Sequence, residues 1–222
     1  MVLGLVASAC STVGSFISGV AGKVGSVVSS FANSLVAKLP EPSILNEVIS
    51  AVVKVIAEKL GLIETEDTPE ELGAKAVESE KNIEDFDSTK EYIEHLRNEV
   101  ELDMEEFNEM GEIERLGCSA IGVSILSQGI EEEEEISIPE DFWVEVGRQD
   151  MKVDEVKAYI ENFKENDLTQ INLGDYLKGN LSVKENKKVY PVIRDTLEEL
   201  NPELSDQDIE DKLFEMEDLV RK

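Results

Sequence analysis

The first forty residues contain no Asp and no Glu. All fifty carboxylates of the 222-residue chain come later, and of its 21 Lys and Arg only Lys23 and Lys38 come before them. Residues 41–222 thus carry 19 basic and 50 acidic side chains, a net charge of −31. Such asymmetry marks two parts of a chain with different surroundings. The overall charge of −29 repels phosphate backbones and anionic headgroups, so nucleic acid is not expected as a partner.

Other shortages exclude chemistry. The one histidine, His95, is expected on the solvated face of an acidic helix, where it serves no nucleophile. The two cysteines, Cys10 and Cys118, form no CxxC and no His/Cys cluster, so neither zinc nor a disulfide framework is indicated. Two reduced thiols among apolar neighbours are expected, in a reducing cytoplasm. GVAGKVGS lacks both the spacing of a phosphate-binding loop and a preceding strand, and there is no calcium loop. Fifty acids make close carboxylate pairs by chance, so such pairs point to no acid/base machinery. No catalytic residue, metal or cofactor is expected, and the chain reads as a non-enzyme. Aromatics make up 5% of the residues, so the core must rest on Leu, Ile and Val. Strand signals are weak and Glu and Lys abundant, which predicts an all-α fold.

What is present begins with the uncharged head. Val13, Phe16, Ile17, Val20, Val24, Val27, Val28, Phe31, Leu35 and Leu39 recur at helical spacing. Opposite them lie Ser11, Ser15, Ser18, Gly22, Ser26, Ser29, Ser30 and Asn33, where a surface helix would place Lys or Glu. Four glycines in this stretch each cost about 1 kcal/mol relative to Ala, so something must cover the helix. Small residues favour close backbone approach. The candidate contact residues are therefore Val13, Phe16, Ile17, Val20, Gly22, Val24, Val27, Val28, Phe31 and Leu35. A helix buried in its own domain is the alternative. The apolar run ahead of Cys10 is short and has no basic flank, so lipidation is not expected. Dilution by Ser, Gly, Thr and Asn argues against a simple membrane span.

Pro40 and Pro42 close the head. Leu45, Val48, Ile49, Val52, Val53, Ile56 and Leu60 then stripe a second helix ending at Gly61, pairing with the first as a hairpin. Residues 64–88 read as an acidic, flexible connector with a short helix capped by Thr68 and opened by Pro69. One long helix is expected from Ser88 through Tyr92, Ile93, Leu96, Val100, Met104, Phe107 and Met110. The uncharged stretch 116–130 resembles the head in character. Glu131 to Glu135 separates it from a C-terminal bundle of short helices anchored by Trp143, with caps at Ser182 and Ser205. Three regions follow: 1–63, 64–130 and 131–222.

Residues 13–39 resemble the hydrophobic low-complexity segments of tape-measure proteins in phage tails and contractile particles, which mix Val, Ile, Ser and Gly at helical spacing. The resemblance implies a minor component or cargo of such a particle. The leading expectation is a structural protein that docks through residues 2–39, to copies of itself or to another protein, while its acidic body stays solvated. The alternatives are a membrane-inserting or delivered protein using the same residues, and an acidic immunity-type protein for a basic partner.

Overall fold

The computed structural model describes the backbone of residues 2–221 and the side chains of residues 10–220. Among the described residues there are thirteen α-helices and no strand, so the fold is all-α. The chain divides into two compact units, one ending at Glu133 and the other beginning at Glu134. The regions 1–63 and 64–130, expected to be separate, lie in one unit.

That first unit opens with α1 (Val2–Gly19), α2 (Ala21–Val24) and α3 (Ser26–Lys38). The single head helix read from residues 13–39 is thus broken twice. Gly25 makes the second break, at φ +94°, where a side chain would be strained and would also press on Ile83. Ser26 then donates from both its N–H (2.9 Å) and its hydroxyl (2.6 Å) to Glu84 Oε1. These bonds hold the Glu84 carboxyl below its usual range. α1 packs against α3, so the head is itself a hairpin.

A π-helical turn (Leu45–Ile49) runs into α4 (Ser50–Lys59), whose Val52, Val53, Ile56 and Ala57 are buried. α5 (Pro69–Glu78) follows, with Thr68 Oγ1 accepting from the Glu71 N–H as expected of a cap. The expectation of a flexible connector fails here: Leu72, Gly73, Ala74, Ala76 and Val77 are all buried. Alanines and glycine read as low apolar content, yet they allow this helix to press close to its neighbour. A 3-10 turn (Ile83–Asp85) leads to α6 (Thr89–Asn98) and then to α7 (Met104–Glu109). The long helix expected over these residues is two helices. Asp103 causes the restart, accepting from the N–H groups of Glu105 (2.9 Å) and Glu106 (3.1 Å).

The centre of the unit is α8 (Glu112–Glu134), buried continuously from Leu116 to Ser127. Its glycines are contact points. A Cβ on Gly122 would run into the Pro69 carbonyl, one on Gly73 into the Cys118 carbonyl, and one on Gly117 into the Phe16 ring. Ser124 donates its hydroxyl to the Val28 carbonyl at 3.1 Å, tying α8 to α3. At its acidic end, Glu132 accepts from the Thr89 N–H at 2.9 Å and so caps α6.

The second unit contains α9 (Glu140–Arg148), α10 (Val153–Glu165), α11 (Leu173–Leu177), α12 (Val183–Leu200) and α13 (Asp206–Arg221). Trp143 is buried, with Phe142 at a ring separation of 5.6 Å; Phe142 in turn meets Tyr159 at 6.2 Å. An isolated parallel bridge joins Ser137 to Gln170. Pro191 lies inside α12 rather than in its first turn.

Candidate interaction surface and cleft

The head hairpin has two faces. Val13, Ile17, Val24, Val28 and Leu35, expected as partner contacts, are instead at most 1% exposed within the chain's own core. Phe16, Val20 and Phe31 are half-buried. Gly22 and Val27 remain open, Val27 at 56% exposure. Of the expected docking segment 2–39, the side chains of residues 2–9 lie outside those described. The apolar face is covered because α8 offers it small residues at Gly117 and Ser124. The sequence held this signal, since 116–130 matches the head in lacking charge.

The outward face of the head carries Ser11, Ser15, Ser18, Gly19, Gly22, Lys23, Ser26, Val27, Ser30, Ala37 and Lys38. Its own residues include no carboxylate, and Glu84 of the 3-10 turn meets it at Ser26. Nothing stands within 4 Å of where a Cβ would sit on Gly19 or Gly22, so another backbone has room to approach. No helix among the described residues is long and apolar enough to cross a membrane.

A second feature of this unit is an open cleft of about 410 Å³, lined by the π turn, the start of α4, and α5, α7 and α8. Asn46 and Ser50 form one wall, and Thr68, Pro69, Glu70 and Glu71 form another. Met104, Phe107, Asn108, Arg115 and Ser119 complete it. The close crossing of α5 on α8 at Gly73 and Gly122 brings the first turn of α5 over Arg115 and Ser119. Arg115 Nε donates to Glu70 Oε1 at 2.6 Å, and its guanidinium lies 5.4 Å from the Phe107 ring centre. Glu71 Oε2 accepts from the Thr68 hydroxyl at 2.9 Å. Ser50 Oγ is shut off from solvent without a hydrogen-bond partner. A π turn often marks a functional position in a helix. A smaller cleft of about 280 Å³ adjoins through Thr68, Glu71 and Met104.

His95 is not the solvated residue expected of it; its side chain is 11% exposed. Nδ1 lies 2.9 Å from Glu99 Oε2 and Nε2 lies 3.4 Å from Ser79 Oγ, the order found in a hydrolytic triad. The resemblance ends at the nucleophile. Ser79 donates its proton to the Lys81 carbonyl at 2.6 Å, is 6% exposed, and lines neither cleft. Glu99, which would orient the ring, is 65% exposed. With the Phe86 ring tilted against the imidazole at 5.1 Å, the group fastens the end of α5 to α6. The Cys118 thiol is no better placed as a nucleophile. Burial first, then Glu70, Glu114 and Glu78, push it up to about 12, which keeps it protonated. Among the described residues, no three His, Cys, Asp or Glu side chains converge as metal ligands.

Comparison with known protein families, with curated proteins and with solved structures finds no match to this chain.

Proposed function

We propose that this chain is a structural protein that associates with a second copy of itself through the outward face of the α1–α3 hairpin. One observation carries the reading: on a chain of charge −29, the outward head face contributes no carboxylate of its own, Glu84 reaching it only at Ser26, while Val27 stands 56% exposed. Two copies meeting anywhere in the acidic remainder would set carboxylates against carboxylates. Meeting at the heads avoids that repulsion. Ser15 and Gly19 lie four apart on α1, spacing that lets two helices approach closely, and Gly22 follows at the start of α2. A self-complementary patch of this kind closes as a two-fold dimer. The likeness of residues 13–39 to tape-measure segments would place such association inside a tail-like particle. Insertion into lipid is less favoured, because Val13, Ile17, Val28 and Leu35 are already covered by the chain itself.

Sedimentation of the full chain over a wide concentration range tests the proposal. A reversible dimer is expected, and Val27→Glu should convert it to monomer with unchanged helicity. A chain monomeric at every concentration, or a dimer indifferent to Val27→Glu and Gly22→Glu alike, would overturn it. Flotation with vesicles would move the reading to a membrane.

A further inference from the structure

The cleft of about 410 Å³ in the first unit falls within the size range of small-ligand sites. We infer that it binds a small organic cation, a short aliphatic amine whose ammonium group meets Glu71 and whose hydrocarbon part lies along Phe107 and Met104.

Three observations converge on that class. The first is the local charge. Glu70 is neutralised by Arg115 at 2.6 Å, and Arg115 is further occupied by the Phe107 ring. Glu71 accepts the Thr68 hydroxyl, while the two cations of the adjoining cleft are engaged elsewhere, Lys75 with the Arg97 carbonyl and Arg97 with Glu64 and Asp67, so the lining keeps one uncompensated negative charge. A single ammonium group cancels it. The second is the field of the whole chain. At −29 it concentrates cations at its surface and turns away phosphates and carboxylates, which excludes the anions that the first turn of α5 would otherwise attract. The third is the Ser50 hydroxyl beside the π turn, buried without a partner. A ligand donor or acceptor that reaches that wall would give it the missing partner. The apolar surface of Phe107 and the half-exposed Met104 suits a few methylenes and no large ring system.

An acidic protein also collects amines indiscriminately, so the test must separate a site from a cloud. We would titrate the full chain with 1,4-diaminobutane at physiological ionic strength and follow backbone amide resonances. The expected result is saturable shifts confined to residues 46–50, 68–71 and 104–119. Glu71→Gln keeps the Thr68 contact and the fold, and should weaken binding about ten-fold, the factor that 1.4 kcal/mol represents. Glu215→Gln on α13 should leave binding unchanged. Succinate, of the same length and opposite charge, and n-butanol, of similar carbon length and no charge, should not bind. Unsaturable shifts spread over the acidic helices, or equal affinity in Glu71→Gln and Glu215→Gln, would overturn the assignment.

Discussion

The two units fill their interiors by opposite means. In the first, α8 is buried through Gly117, Cys118, Ser119, Ala120 and Gly122, and neighbouring backbones come into direct contact with it. In the second, four large rings, Phe142, Trp143, Tyr159 and Phe163, all at most 1% exposed, are set among the expected aliphatic side chains such as Ile138, Ile160, Leu173 and Ile193. A core of touching backbones has no slack for an added methyl. A core of rings has no substitute for a lost one. The first should therefore fail on enlargement and the second on truncation.

Gly122→Val should produce the largest effect. The new side chain would occupy the position of the Pro69 carbonyl, and α5 would have to leave α8. Such overpacking against backbone should cost about 4 kcal/mol or more. Because Trp143 is the only tryptophan, its fluorescence reports the second unit alone. The comparison predicts a large loss of helical circular dichroism with Trp143 emission still that of a buried indole. Emission shifting in step with helix loss would mean the units do not stand apart energetically. Trp143→Ala is the converse, and should cost about 3–4 kcal/mol through the cavity it leaves. Here the thermal transition of the second unit should fall while the Gly73–Gly122 crossing is untouched.

The same contrast explains what the amino-acid sequence discloses. The second unit was legible because rings and capping pairs are local signals: Ser182 with Glu185 and Ser205 with Asp208 mark the starts of α12 and α13 where the structure places them. Only α11, five residues long, went unread. In the first unit, glycine and alanine were taken as weakness in α5 and as a docking stripe in the head. Their value lies in a partner helix far along the chain, and periodicity within one helix cannot name that partner. The cleft was invisible for the same reason. Asn46, Glu71, Phe107 and Arg115 come from four separate stretches and form no motif.

Charge buried among the rings gives a smaller, pH-dependent effect. Glu145 is 0% exposed, with Arg148 Nε 3.6 Å away and the Gln149 side chain beside it. Burial raises its carboxyl above 4.5, with Arg148, Gln149 and Lys178 opposing and Asp141 reinforcing. A raised folded value means that this group's contribution to stability is complete below pH 4.5 and is lost as pH climbs through the folded value. Glu145→Gln should therefore match the parent near pH 4 and exceed its melting temperature at pH 7 by several degrees. Arg148 would keep its donor contacts to the Leu219 and Val220 carbonyls. Equal gains at both pH values would remove ionisation as the cause.

The smallest change probes the head. Ser124 is 0% exposed and gives its only proton to the Val28 carbonyl, 96 residues away. Ser124→Ala takes away that bond and leaves nearly the same volume. The Val28 carbonyl still lies within a helix, so the expected loss is that of one bond, about 1 kcal/mol. Thermal unfolding of the first unit should register it as a drop of about 3 °C. Ser124→Val would add bulk at the same position. If the crossing of α3 on α8 is as tight as those at Gly73 and Gly122, it must cost well over the alanine figure. Similar losses for the two variants would mean that α3 rests on α8 through the hydrogen bond and not through contact, and the head would then belong with the looser parts of the unit.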